Sequence, residues 1–163
     1  MPKSRLQIEL QQSKPFRSVA QEAWLSILRT ADHLKRTSQT SFDMSGLTQQ
    51  QYNVLRILRG AGESGLPTLA IASRLIEHTP GITRLLDRLE AKHLIARGRP
   101  TQDRRQVTCT ITPLGSELLS KLDEKVDSLT TAALHGVSEQ ELRDLIRTLE
   151  KIRNPNIDPA SDN

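Results

Sequence analysis

Apolar side chains in this 163-residue chain recur at steps of three and four along most of its length, and they alternate in one place only, over residues 94–97 and 106–111. Steps of three and four line one face of an α-helix and alternation lines one face of a strand, so the pattern restricts the chain to packed helices carrying one small hairpin. With one Trp, one Tyr and two Phe, the core must be built from Leu, Ile, Val and Ala, and the expected fold class is mainly α. No stretch approaches the roughly 18 uninterrupted apolar residues of a membrane span. Residues 1–16 lack the apolar core of a secretory signal, so a cytoplasmic location and no membrane partner are expected. A single cysteine, Cys109, excludes an internal disulfide and a Cys-cluster zinc site.

Residues 1–14 read equally as a flexible arm or a short helix. From Pro15, the spacing of Phe16, Val19, Ala20, Ala23, Trp24, Ile27, Leu28, Ala31 and Leu34 predicts a long amphipathic helix to about Arg36, followed by a Ser/Thr-rich loop over 37–46. Thr48 and Gln51 have capping-box spacing and open a second helix that ends near Gly60, Gly62 and Gly65. A short helix over 67–75 and a tight turn, Ile76-Glu77-His78, lead to a helix over 79–93, with Thr79 as N-cap and Pro80 in the first helical position. Thr112-Pro113 repeats that start for a helix reaching about Leu134, and Ser138 with Glu141 opens a last helix that ends at Asn154-Pro155. The tail beyond is expected to be disordered.

Charge is uneven. Residues 1–65 carry a net +4, residues 66–112 another +4 and residues 113–163 a net −4, so a polyanion is the expected partner of the front and middle of the chain. On a helical wheel of residues 79–93, Ile82, Leu85, Leu86 and Leu89 share the core arc. The opposite face then holds Pro80, Arg84, Asp87 and Ala91, flanked by Thr83 and Arg88, with Thr79 and Gly81 at its N-terminal end. A major groove about 12 Å wide admits such a helix, Arg84 and Arg88 can donate to guanine edges or phosphates, and Thr79 and Thr83 are short enough for close approach. The two alternating segments flank a basic hairpin tip, residues 98–105, which is a candidate wing.

These features occur together in a recognisable order. Residues 66–115 contain Leu69-Ala70-Ile71-Ala72-Ser73-Arg74-Leu75, Gly81-Ile82-Thr83-Arg84-Leu85-Leu86-Asp87-Arg88-Leu89-Glu90, Leu94-Ile95-Ala96-Arg97, Asp103-Arg104-Arg105 and Ile111-Thr112-Pro113-Leu114-Gly115. This stretch resembles the winged helix-turn-helix of the MarR family of bacterial transcriptional regulators, and the resemblance extends to Leu47-Thr48-Gln49-Gln50-Gln51-Tyr52-Asn53-Val54-Leu55. It implies a two-stranded wing and long N- and C-terminal dimerisation helices. The expected divisions are an arm (1–14), a helical dimerisation region (15–46 and 113–153), a winged DNA-binding domain (47–112) and a tail (154–163). The implied partners are double-stranded DNA and a second copy of the chain, whose first and last helices intertwine with these. Apolar stripes without an internal partner agree with such a homodimer. The family's Asp-x-Arg wing pattern falls on Asp103 and Arg105, which implies that Arg105 enters the minor groove and Asp103 holds it; Arg97, Arg99 and Arg104 are then phosphate contacts. One departure is His93, where the family commonly has glycine; histidine tolerates a left-handed turn better than branched residues do.

The favoured function is a homodimeric repressor on a pseudo-palindromic operator. The alternative is a winged-helix module for protein contact, kept open by Asp87 between the two arginines. Many relatives release DNA on binding small phenolic or aromatic acids, so the resemblance admits a small-molecule effector, with Trp24 and Tyr52 as candidate contacts. No nucleophile–base pair, phosphate-cradling glycine loop or His/Cys ligand spacing is present, so an enzyme, a cofactor or a metal site is not expected. Cys109 reads as a small core residue.

Overall fold

Ser4 opens the first helix, its hydroxyl accepting from the Gln7 amide at 3.3 Å, so the N-terminal segment contains a short helix, α1 (Arg5–Glu9), with Gln7 buried. The computed structural model describes residues 3–43, 45–98 and 107–154. These residues belong to two compact units, Met1–Asp127 and Ser128–Asn163.

In the first unit the long amphipathic helix, α2 (Val19–Asp43), starts later than Pro15 and runs through most of the segment expected to be a loop. The hydroxyls that suggested a loop are absorbed by the helix itself. Thr37 Oγ1 donates to the His33 carbonyl at 2.9 Å and Ser38 Oγ to the Lys35 carbonyl at 3.0 Å. Phe42 then anchors the last turn in the core, 3% exposed, with its ring 5.2 Å from that of Tyr52. Helix α3 (Gln49–Ala61) begins at the expected capping box, in which Thr48 Oγ1 accepts from the Gln51 amide and Gln51 Oε1 accepts from the Thr48 amide. It supplies Val54, Leu55 and Leu58 to the core, each wholly buried.

A strand of two residues, β1 (Leu66–Pro67), precedes helix α4 (Thr68–Arg74) and was not anticipated; so short a strand shows no alternation. Helix α5 (Ile82–Ala91) is shorter than expected. Thr79 is not its N-cap, because its hydroxyl donates to the Glu77 carbonyl at 3.1 Å; Gly81 caps instead, at φ 89°, a left-handed conformation that separates Pro80 from the helix. At the far end His93 lies at φ 57°, its amide bonds the Glu90 carbonyl and the Leu94 amide bonds that of Leu89, the Schellman arrangement normally built on glycine. Strands β2 (Ile95–Gly98) and β3 (Thr108–Ile111) are antiparallel, and β1 pairs the other side of β3, giving the order β1-β3-β2.

Thr112 closes the wing. It donates to the His93 carbonyl at 2.7 Å and accepts from the Gly115 amide at 3.0 Å, so it is the N-cap of α6 (Pro113–Ala133), as expected. Leu119 and Leu122 of α6 complete a core with α3, α4, α5 and the sheet, and Cys109 is buried within it. The fold of this unit is a winged helix with a small three-stranded sheet. In the second unit, α7 (Glu139–Arg153) starts at the expected capping box of Ser138 with Glu141. Its Leu145, Ile146 and Ile152 are each about half exposed, at 47, 54 and 53%.

Candidate nucleic-acid interface

Helix α5 presents the two faces that its wheel requires. Leu85, Leu86 and Leu89 are buried and Ile82 packs against them, whereas Pro80, Gly81, Thr83, Arg84, Asp87, Arg88 and Ala91 are exposed and Thr79 is half-buried. Helix α4, which buries Ile71 in the same core, backs α5 from the side opposite the exposed face. Arg84 and Arg88 lie one turn apart, about 6 Å along the axis. Neither forms an ion pair among the described residues. Two cations on the exposed face of a helix whose other face is buried can follow a groove wall or reach base edges.

Arg97, expected to face phosphate, is drawn onto α5. Its Nη1 lies 2.7 Å from Asp87 Oδ1 and 3.2 Å from Glu90 Oε2, and its Nη2 donates to the Thr83 carbonyl at 3.4 Å. Burial works against its charge, but the hydrogen bonds to Asp87 and Cys109 and the nearby Glu90 carboxylate outweigh it and raise the guanidinium pKa. Burial likewise pushes the Cys109 thiol up, against the lowering influence of Arg97. Nothing in the sequence between positions 87 and 97 marked this cluster, since its members meet only when the wing folds back on the helix. The wing-tip residues Arg99, Asp103, Arg104 and Arg105 lie outside the described residues.

The two candidate effector contacts are not brought together. Trp24 is 63% exposed on α2, while Tyr52 is buried at the junction of α3 with α6. The Tyr52 hydroxyl donates to Asp123 Oδ1 at 2.9 Å, and Arg59 Nη1 holds Asp123 Oδ2 at 2.5 Å. Burial, followed by the Asp123 hydrogen bond, pushes the Tyr52 pKa up to about 12. For Asp123, burial acts upward but the hydrogen bonds from Arg59 and Tyr52 prevail and lower the pKa. Sequence reasoning missed Asp123 and Arg59 because the contacts span 71 and 64 residues. A cavity of about 110 Å³ lies elsewhere, bounded by Lys35, Thr48, Asn53, Leu75, Ile76 and Glu77, with Lys35 Nζ 2.9 Å from Glu77 Oε1 at its edge. Trp24 and Tyr52 do not line it.

Among the described residues no group of three or more His, Cys, Asp or Glu side chains could hold a metal ion, and no helix is long and apolar enough to cross a membrane. Residues 47–107 match the profile described as the MarR family. A MarR transcription factor from Planctomyces limnophilus is 40% identical, the match covering 83% of this chain and 98% of that one, with a TM-score of 0.64. The S. aureus MepR–DNA complex is 25% identical over 81% of this chain and 97% of MepR, with a TM-score of 0.71. Bordetella bronchiseptica BpsR, whose DNA binding is regulated by 6-hydroxynicotinic acid, shares the fold at 23% identity, 81% and 98% coverage and a TM-score of 0.71.

Proposed function

This chain belongs to the MarR family, a family of transcriptional regulators rather than enzymes, and we propose on that premise that it is a homodimeric repressor that occludes a promoter and is released by a small aromatic acid. The observation that carries the DNA reading is the exposed face of α5, where Arg84 and Arg88 stand clear of the core. In this reading α5 enters the major groove, with Thr79, Pro80, Gly81 and Thr83 allowing the backbone close and the two arginines donating to guanine edges or phosphates. Arg105, held by Asp103, reads a narrow minor groove, and Arg99 and Arg104 contact phosphate.

Residues 47–112 are assigned to DNA binding, and residues 15–46 with 113–153 to pairing of two chains. Exposed Trp24 and Leu28 on α2, and exposed Leu145, Ile146 and Ile152 on α7, support the pairing, since apolar stripes of this kind are covered by a partner. A two-fold dimer requires operator half-sites about one helical turn, 34–36 Å, apart. The ligand assignment draws on BpsR.

Fluorescence anisotropy of the full chain on the duplex upstream of its own gene and on a random duplex, across a salt series, tests the proposal. A steep negative salt slope with preference for the upstream duplex is expected. Absence of binding at low salt, without effector, overturns it in favour of a protein-contact module.

A further inference from the structure

The acidic residues of the recognition helix pose an electrostatic problem for DNA binding. Asp87 lies on the exposed face between Arg84 and Arg88, and Glu90 is half-buried beside it. An unpaired carboxylate there would meet the phosphate backbone with like charge and cancel part of what the arginines gain. The structure supplies its counter-ion from outside the helix. Arg97 stands on β2, opposite Cys109 of β3 in the sheet register, and its side chain is only 25% exposed. One guanidinium nitrogen is shared between Asp87 and Glu90, and another reaches the Thr83 carbonyl one turn earlier on α5. To contact phosphate, Arg97 would have to leave two carboxylates and a carbonyl that it already satisfies from a planar, forked donor set.

Building on the DNA-binding reading above, we infer that Arg97 is a positioning residue rather than a phosphate contact: it fastens the wing strand to the recognition helix and halves the charge of the Asp87 and Glu90 pair, so that Arg84 and Arg88 meet DNA with less opposing charge between them. The wing and the helix are thereby one electrostatic unit. The cluster of Arg97, Asp87 and Glu90 carries one net negative charge, and it would carry two without the arginine.

A double-mutant cycle on the full chain tests this, with anisotropy measured between about 50 and 200 mM salt on the duplex bound by the wild type. Arg97→Ala is expected to weaken binding about 10- to 100-fold at the low-salt end and less at the high-salt end, where like-charge repulsion is screened, and adding Asp87→Asn is expected to recover at least about fivefold of the low-salt loss. A merely structural arginine would not be rescued this way, because Asp87→Asn restores no packing. Losses that simply add, the signature of an arginine that contacts phosphate independently of Asp87, overturn the inference while leaving the DNA-binding reading intact. A wild-type chain without DNA affinity overturns both. Should Arg97→Ala fail to fold, Arg97→Lys keeps the charge without the fork; about fivefold weaker binding, again rescued by Asp87→Asn, is expected, and binding equal to wild type overturns the inference.

Discussion

Helices α3 and α7 start alike, each at a capping box closed by a side chain three residues on, yet α3 buries Gln51, Tyr52, Val54, Leu55 and Leu58 whereas α7 buries no residue. The cap sets where a helix begins and the apolar stripe sets which face it offers; neither states what will cover that face. For α3 the cover comes from α4, α5, α6 and the sheet of the same unit. For α7 the stripe remains half exposed, and a helix of 15 residues is marginal in water by its own propensity. The winged unit is thus stabilised from within, and the C-terminal helix awaits the second chain proposed above.

The largest effect is expected at Leu86, on α5 in the winged core. Its truncation to Ala leaves a void in a wholly buried site, so a loss of about 2–5 kcal/mol is expected in urea unfolding, against less than about 1 kcal/mol for Leu145→Ala in the dilute monomer. Equal costs would mean that α7 is as well covered within its own chain as α5 is. Next in size is Ile146→Asp, which puts a charge into the apolar stripe; sedimentation equilibrium should show the dimer dissociation constant raised about 100-fold or more, with the circular dichroism of the winged unit unchanged. An unchanged mass would remove α7 from the pairing surface.

A smaller effect separates the polar joint of the winged unit from its apolar core. Tyr52, Asp123 and Arg59 tie α3 to α6, and Tyr52→Phe is expected to cost about 1–2 kcal/mol at neutral pH. The pH dependence has two edges. Tyr52 has a folded pKa of about 12 against 10.0 for the free group, so its contribution is whole below pH 10 and is lost as pH rises towards 12. Asp123 is shifted down, so its contribution is whole above the ordinary carboxylate pKa of about 3.9 and is lost as pH falls through its lower folded value. Thermal melts of Tyr52→Phe should show a shallower alkaline decline than wild type and those of Asp123→Asn a shallower acid one; a Tyr52→Phe curve parallel to wild type at pH 10–12 would refute the joint.

The legible parts of this molecule are those written in neighbouring residues. Both capping boxes, the Thr112-Pro113 start of α6 and the core arc of α5 all follow from spacings of one turn or less, and the structure reproduces them. The errors arise where one local signal has two outcomes. Thr37 and Ser38 can open a loop or bond back into their own helix, and only the burial of Phe42, a tertiary event, selects the helix. Thr79-Pro80 reads as a helix start until Glu77 takes the hydroxyl and Gly81 takes the cap. The ion pairs of Arg97 are illegible for a different reason, since its two acids become its neighbours only after β2 has folded against α5.

His93 offers the finest test of how the wing is joined to that helix. It occupies the left-handed position of the α5 C-terminal motif at φ 57°, and its carbonyl accepts from Thr112 Oγ1, so the turn is held by its surroundings rather than by its own preference. A left-handed conformation costs an L-residue about 1–2 kcal/mol, and glycine avoids that cost while losing more entropy on folding. His93 is exposed, so its side chain contributes little packing that glycine would forfeit. His93→Gly should therefore stabilise the fold by about 0.5–1 kcal/mol in urea unfolding, an increase where most substitutions bring a loss. A decrease instead would mean that the imidazole stabilises the junction by more than its backbone strain costs, and that the winged core is held at this corner by a side chain at its surface.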